Sequence, residues 1–239
     1  MGAVVGKKMK RRPRKGIFLV LEGPDGGGKK TQTMLLHQRL TREGYEAPVA
    51  DFPRYGHPSA GPVELYLRGE LGGHVAVEPH HAAVLYAVDR YCAASEINRW
   101  LREGKVVLSN RYTVSNLAYQ GAKIKDSAER RKFWEWNREF EHDFMKVPRP
   151  TLNIILDVPI DIAYALIGEK EQRSYLKGKK RDIHEQDKEY LRRTVDVYHE
   201  LARTYPDEFK IVPCAQDGKL LSREAIAERL WHTVKPLLA

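Results

Sequence analysis

The segment from Glu22 to Thr31 constrains the fold more than any other part of the sequence. It reads Glu-Gly-Pro-Asp-Gly-Gly-Gly-Lys-Lys-Thr, follows the apolar run Ile17–Leu21 and leads into a helical stretch ending near Glu43. Glycines let the backbone wrap closely around an anion in conformations that are costly for other residues. Successive N–H groups and the helix N-terminus then converge, and Lys29 adds a positive charge there. A strand, the pattern Gly-x4-Gly-Lys and a helix together predict a phosphate-binding loop.

Two residues in this loop depart from the usual pattern. Lys30 occupies the position where a serine or threonine hydroxyl normally binds Mg²⁺. A cation cannot be a metal ligand, and Thr31 lies about 100° further around the helix, so it is not a simple replacement. Asp25 places a carboxylate where it repels phosphate, unless it accepts a hydrogen bond from a substrate hydroxyl or holds Mg²⁺. The alternative for Asp25 is a solvated turn residue.

The rest of the sequence alternates short apolar runs with longer amphipathic stretches. Further strands are predicted at Pro48–Phe52, Lys105–Ser109, Leu152–Val158 and Phe209–Pro213. Helices are predicted at Lys29–Glu43, Pro79–Glu103, Ser127–Phe144, Ile160–Lys170, His184–Tyr205 and Ser222–Leu237. This order predicts an α/β fold with three layers, in which a five-stranded parallel sheet is covered by helices on both faces. Ligands bind at the carboxyl ends of such strands, so functional residues are expected there.

The positive charge of the chain is concentrated at its start. The net charge is +9, and residues 1–15 contain seven lysine or arginine residues and no acidic residue. Such a block is typical of a disordered, solvated tail, with nuclear targeting or contact with nucleic acid as alternatives. We therefore predict a basic tail at 1–15 and one domain at 16–239.

The two cysteines, Cys92 and Cys214, lack metal-ligand spacing. They are predicted to be buried thiols of a protein in the reducing cytoplasm. Cys92 also follows Leu85, Val88 and Tyr91 at helical spacing, which predicts a stripe that faces the core. No apolar run approaches the roughly 18 residues that span a bilayer.

The sequence resembles the thymidylate kinase family over most of residues 16–205. The motifs that carry the resemblance are the loop pattern Glu-Gly-x-Asp-x-x-Gly-Lys, Phe52-Pro-Arg-Tyr55, Asp89-Arg90, Asn110-Arg-Tyr112, Ser115 to Gly121 and the basic stretch Arg173–Arg181. Phe-Pro and Asp-Arg are weak patterns alone, but their order at predicted strand ends is specific. The resemblance implies a P-loop NTPase-type kinase fold with a short basic lid. It further implies phosphorylation of dTMP to dTDP with ATP and Mg²⁺, and a homodimer.

The same resemblance implies roles for individual residues. The implied ATP site consists of Gly23, Pro24, Asp25, Gly26, Gly27, Gly28, Lys29, Lys30 and Thr31. The implied dTMP site consists of Phe52, Arg54, Tyr55, Tyr86, Arg90, Arg111, Asn116, Tyr119 and Gln120. The expected catalytic residues are Lys29, Asp25, Arg111 and Arg173.

The chemistry of these side chains agrees with the implied dTMP site. Tyr86 and Arg90 are four residues apart on one helical face, so that a ring can stack on the base while a guanidinium donates to it. Arg54 and Arg111 follow strands and suit a phosphate monoester. A ring at Tyr119 would fill the space of a ribose 2′-hydroxyl. The alternatives are a core aromatic, a surface ion pair and solvated arginines.

The lid and the metal ligands are the least regular part of the pattern. Gly26 stands where some family members have an arginine, so the lid is expected to supply the catalytic cation, by Arg173 first, or by Lys177 or Arg181. Asn110 replaces the aspartate of the family's Asp-Arg motif. The metal candidates are Asp25 and Glu185, with Asp182 as a further compensating carboxylate.

Two other functions stay open at this point. One is a kinase for another nucleotide or nucleoside. The other is a relative that has lost catalysis and binds nucleic acid through residues 1–15, which Lys30 and Asn110 motivate.

Overall fold

The computed structural model describes residues 15–168, 176, 178 and 182–238. Within them, five parallel strands form one sheet in the order β2-β3-β1-β4-β5. The strands are β1 (Ile17–Glu22), β2 (Val49–Asp51), β3 (Val106–Asn110), β4 (Leu152–Asp157) and β5 (Phe209–Pro213), followed by a small antiparallel pair, β6 (Ala215–Gln216) and β7 (Lys219–Leu220). The α-helices are α1 (Lys29–Arg42), α2 (Gly61–Leu67), α3 (Pro79–Arg102), α4 (Thr113–Gly121), α5 (Ser127–Arg138), α6 (Ile160–Gly168), α7 (Lys188–Thr204) and α8 (Arg223–Val234). Short 3₁₀ helices span Pro58–Ala60 and Lys235–Leu238.

Helices cover both faces of the sheet. On one face, Leu40 of α1 and Leu230 of α8 pack against Leu19 of β1. On the other face, α4, α5 and α7 bury Ile155 of β4, and Phe18 of β1 lies in a cluster beneath α3. The predicted three-layer α/β fold with five parallel strands is therefore confirmed. In the described part of the chain, no helix is both long and apolar enough to cross a membrane.

The sequence did not predict α2 and α4. It also predicted one continuous α-helix where the structure has an α-helix followed by a π-helix. Both missed helices are short, with seven residues in α2 and nine in α4, so neither contains enough turns to establish a helical period in the sequence. The helix predicted at Ser127–Phe144 is α-helical to Arg138 and continues as a π-helix over Glu139–Phe144.

The predicted core-facing stripe on α3 is wrong for three of its four residues, since only Leu85 packs against a core cluster. Val88 is 37% exposed, Tyr91 is 54% exposed and Cys92 is also exposed. The buried face of α3 contains instead small residues such as Ala83, Ala87 and Ala94, which allow the close approach of neighbouring elements. Cys214 is buried as predicted, and burial raises the pKa of its thiol to about 12.

Candidate active site

The phosphate loop connects β1 to α1 in a tight backbone turn. Gly23 and Gly26 have φ angles of 135° and 80°, which L-residues rarely adopt. A Cβ atom at position 26 would also overlap the carbonyl oxygen of Ala163. No side chain, and therefore no cation, fits at Gly26. The Lys29 ammonium group is held over the loop, where Nζ donates to the carbonyl oxygens of Gly23 at 3.0 Å and Pro24 at 2.7 Å.

The buried carboxylate of Glu22 connects this loop to the next functional segment. It accepts hydrogen bonds from the Tyr112 N–H at 2.8 Å, the Ser115 hydroxyl at 2.7 Å and the Tyr198 hydroxyl at 2.9 Å. These bonds fix the start of α4 and part of α7 to the end of β1. Arg111, which lies between β3 and α4, adopts a φ of 63°, and its N–H donates to the carbonyl of Leu21. The unusual backbone conformation turns the Arg111 side chain towards the phosphate loop.

Asp25, Arg111 and Tyr119 form one hydrogen-bonded group at the centre of the site. Arg111 Nη2 lies 2.7 Å from Asp25 Oδ1, and the Tyr119 hydroxyl donates to Asp25 Oδ2 at 2.8 Å. The Arg111 guanidinium also stacks over the Tyr119 ring, 4.9 Å from its centroid. Burial raises the pKa of Tyr119 well above its ordinary value, so that its hydroxyl keeps the proton it donates. Asp25 is thus a bonded part of the site rather than a solvated turn residue.

A cavity opens beside this group. It is lined by Asp25, Pro53, Tyr55, Leu67, Tyr86, Arg111, Ser115, Asn116, Tyr119, Gln120, Asp182 and His184. Six of the nine residues predicted for dTMP lie among them. The phosphate loop and the cavity that contains these residues therefore meet at Asp25, which belongs to the loop and lines the cavity.

The cavity contains polar atoms that have no partner in the described part of the chain. They are Oε1 of Gln120 and both ring nitrogens of His184. Burial lowers the pKa of His184 well below its ordinary value, so the ring is neutral. A buried polar group without a partner costs about 1–3 kcal/mol, which favours a polar ligand here. Sequence reasoning missed His184, because a single histidine near the lid gives no signal that distinguishes it from a core histidine.

Arg54 lies at the edge of the cavity and is held by α3. Its Nε donates to Asp89 Oδ1 at 2.9 Å, and its backbone N–H donates to Asp89 Oδ2 at 2.8 Å. Asp89 is almost fully buried, whereas the Arg54 side chain is partly exposed. The ion pair fixes the direction of the guanidinium group, as binding of a phosphate requires. The role of Arg54 itself stays a prediction.

Two residues predicted for dTMP lie behind the cavity. Phe52 is buried and packs on the ring of Tyr112, 5.4 Å between centroids. Arg90 is also buried, and its Nε and Nη2 donate to the two oxygens of Glu141 at 2.6 and 2.8 Å. The third nitrogen, Nη1, donates to the carbonyl of Tyr112. In this structure, all three nitrogens of Arg90 are bonded to protein groups, and contact with a base stays a prediction.

Arg90 and Glu141 belong to a buried polar cluster that supports the cavity wall. The same Glu141 carboxylate accepts hydrogen bonds from the amides of Asn116 at 3.0 Å and Asn137 at 2.9 Å. Asn116 also donates to the carbonyl of Ala83. Since Asn116 lines the cavity, the cluster sets the position of α4 there.

The remaining predicted residues lie at the rim or outside the described part. Lys30 is exposed and Thr31 is half-buried. Glu185 is fully buried and lies outside the cavity lining, whereas Asp182 lies within it. Arg173, Lys177 and Arg181 of the predicted lid and residues 1–14 of the tail lie outside the described residues.

Comparison with known proteins agrees with this geometry. The family model "Thymidylate kinase" matches residues 21–225. A thymidylate kinase of Mycobacterium tuberculosis is 33% identical over 187 residues, which covers 78% of this chain and 86% of the relative. A thymidylate kinase of Clavibacter michiganensis is 31% identical over 227 residues, which covers 94% and 97%, and a probable thymidylate kinase of Pyrobaculum aerophilum is 32% identical over 222 residues, which covers 91% and 98%. The chain belongs to the thymidylate kinase family.

Proposed function

We propose that the chain transfers the γ-phosphoryl group of ATP to dTMP in the cavity beside the phosphate loop. The observation that carries this proposal is the position of Asp25, which lies in the phosphate loop, lines the cavity and binds Arg111 at 2.7 Å. A donor on the loop and an acceptor in the cavity would therefore share one group of side chains.

The reaction needs positioning and charge neutralisation more than covalent chemistry by the protein. An oxygen of the dTMP phosphate forms a bond to the γ-phosphorus, the bond from that phosphorus to the bridging oxygen breaks, and ADP leaves. Lys29 and the loop N–H groups hold the ATP phosphates, and Arg54 and Arg111 hold the acceptor phosphate. Asp25 orients the nucleotide sugar through its 3′-hydroxyl. The dTMP phosphate is already ionised near neutral pH, so no general base is needed.

Two further groups are needed around the moving phosphoryl group. Bound Mg²⁺ neutralises charge on the phosphate oxygens. Among the described residues, no set of three or more histidine, cysteine, aspartate or glutamate side chains could hold a metal ion alone. This fits Mg²⁺, which usually keeps several waters and binds one or two carboxylates together with substrate phosphates. Because Gly26 excludes a side chain, the lid would supply the remaining cation, with Arg173 as first candidate and Lys177 or Arg181 as alternatives.

A nucleotide-specificity assay tests the proposed reaction. ATP consumption is measured with dTMP, the 3′-deoxy analogue of dTMP, dUMP, dCMP, AMP and thymidine, each over a series of Mg²⁺ concentrations. We expect the highest kcat/KM with dTMP, and a lower value with the 3′-deoxy analogue of dTMP because Asp25 loses its hydroxyl partner. Equal or better turnover of another acceptor would contradict the dTMP assignment. Salt-sensitive binding of nucleic acid without any dTDP formation would favour the inactive relative instead.

The exposed face of α3 supports a homodimer. Val88 and Tyr91 are large apolar residues that lie in solvent on one helix together with Cys92. Exposed apolar patches on a protein surface commonly mark protein–protein contacts. A second copy of the chain, packed on this face around a two-fold axis, would bury them.

A charge on this face is expected to dissociate the dimer. In a two-fold interface, Tyr91→Glu introduces the unfavourable carboxylate twice, and sedimentation should show conversion from a dimer of two 27.5 kDa chains to a monomer. The matched control is Leu220→Glu, at an exposed apolar residue of β7 outside this face, which should leave the mass unchanged. A wild-type monomer would contradict the proposal, as would a dimer that tolerates Tyr91→Glu.

The boundary between tail and domain and the cytoplasmic location stay predictions. We place the kinase domain at residues 16–239 and the basic tail at 1–15.

A further inference from the structure

The ends of β2 and β3 carry two oxygen atoms that accept no hydrogen bond from the described residues. Asp51 and Asn110 are the last residues of these strands and are Cα partners in the parallel register. The Asn110 amide donates from Nδ2 to Asp51 Oδ1 at 2.7 Å, which fixes the orientation of the carboxamide. Asn110 Oδ1 is then buried and has no hydrogen-bond partner among the described residues. Asp51 Oδ2 also accepts no hydrogen bond from the described residues. Asp51 is an exposed residue, so the cost of about 1–3 kcal/mol for a buried unpaired oxygen applies to Asn110 Oδ1 and indicates that a donor or a cation belongs there.

These oxygens lie next to the phosphate loop. In the sheet, β3 lies between β2 and β1, and Asn110 is the partner of Leu21 near the end of β1. Desolvation raises the pKa of the Asp51 carboxyl, and the charges of Lys30, Arg111 and Lys29 oppose the rise. The carboxylate is therefore within electrostatic reach of the cations that hold phosphate.

The usual metal ligands of a phosphate-loop enzyme are both missing from this chain. Such enzymes hold Mg²⁺ with a loop serine or threonine and an aspartate after a neighbouring strand. Here Lys30 and Asn110 occupy these positions. We infer that the carboxylate for Mg²⁺ stands at the end of β2 in this chain instead of at the end of β3. Asp51, together with the amide oxygen of Asn110, then anchors the Mg²⁺ that accompanies ATP. This inference rests on the proposed function, which requires ATP with Mg²⁺.

The spacing of the strands indicates how Asp51 reaches the metal. Neighbouring strands lie about 4.8 Å apart, whereas a direct Mg–O bond is about 2.1 Å long. A carboxylate displaced outward by one strand is therefore suited to contact through a metal-bound water. Mg²⁺ gives up its waters reluctantly, so this mode of binding is common for it. The amide of Asn110 orients the carboxylate in the same way that outer-shell partners orient metal ligands.

The test measures metal binding directly. The affinity of Mn²⁺, as a spectroscopic substitute for Mg²⁺, is determined by electron paramagnetic resonance in the full-length protein with a non-hydrolysable ATP analogue. Loss of an outer-shell partner typically weakens metal binding by 10–100-fold, so Asp51→Asn should weaken Mn²⁺ binding by about tenfold or more. The exchange Asp51→Asn/Asn110→Asp restores a carboxylate and keeps an amide beside it, and should restore most of the affinity.

Matched controls separate the possible results. Asp207→Asn changes an exposed turn residue and should bind Mn²⁺ like the wild type. Equal Mn²⁺ affinity in Asp51→Asn and Asp207→Asn would overturn the inference. The exchange variant preserves the carboxylate–amide pair, so the test stays valid if Asp51→Asn alone unfolds. If the exchange variant binds Mn²⁺ at least tenfold more weakly than the wild type, the inference is also overturned. Wild-type turnover of dTMP is measured in parallel, and its failure would contradict the proposed function while leaving the Mn²⁺ result interpretable.

Discussion

Replacing Lys29 with alanine is expected to reduce kcat by roughly 10²–10³-fold, the usual effect of removing one preorganised charge-stabilising donor. The lysine ammonium is buried over the loop and already held by two backbone carbonyls at 3.0 and 2.7 Å, so it needs little reorganisation when phosphate arrives. Alanine removes the charge but leaves the backbone turn, since Gly23 and Gly26 determine that turn. Steady-state kinetics with dTMP would measure the loss, and thermal unfolding would show whether the fold is intact.

The control for Lys29→Ala is Lys219→Ala, which removes an exposed lysine of β7. It should leave kcat and the unfolding temperature unchanged. A folded Lys29→Ala variant that keeps more than about a tenth of the wild-type kcat would mean that ATP phosphates do not bind where the loop predicts.

Replacing Glu141 with alanine is expected to lower the free energy of unfolding by about 3–5 kcal/mol, because it leaves the buried guanidinium of Arg90 without a counter-ion. Both residues have at most 2% of their side chains exposed, and Glu141 also accepts the amides of Asn116 and Asn137. Urea unfolding followed by tryptophan fluorescence would report the change as a lower midpoint.

Two comparisons make the Glu141 prediction specific. Glu129→Ala breaks an exposed ion pair with Lys132 and should cost less than about 1 kcal/mol. Arg90→Met/Glu141→Leu removes both buried charges and should recover part of the lost stability, since no unpaired charge remains and only the amides of Asn116 and Asn137 lose an acceptor. A single Glu141→Ala variant as stable as Glu129→Ala would show that the pair contributes little.

The fold could be predicted largely from the sequence because its signals are local. The apolar strand β1, the glycine-rich turn and the start of α1 are neighbours in the chain, and each of the five parallel strands has its own apolar run. The missed helix α4 has a weaker signal, because its nine residues are too few to establish a helical period in the sequence. The stripe on α3 was assigned to the core because a helical pattern shows which residues share a face, but not whether the core or another surface covers that face.

Individual residues of the site could be predicted from the sequence, but the contacts between their side chains could not. Arg111 and Asp25 were recognised as candidates, but their contact spans 86 positions of the chain and depends on the positive φ of Arg111. Nothing in the sequence indicates a function for Asp51, because its proposed role depends on the strand register that places it beside Asn110. Arg90 was recognised as a candidate for the base, and the glutamate that holds it lies 51 positions away.

Because of the π-helix over Glu139–Phe144, the position of Glu141 depends on the number of residues in this segment. A π-turn accommodates more residues per turn than an α-helix, and each residue of an α-helix advances by about 100°. A deletion of a single residue here would let the segment return to α-helical winding and rotate Glu141 away from Arg90. Substitutions at exposed positions such as Phe144 should be tolerated in related chains, whereas insertions and deletions between 139 and 144 should be rare.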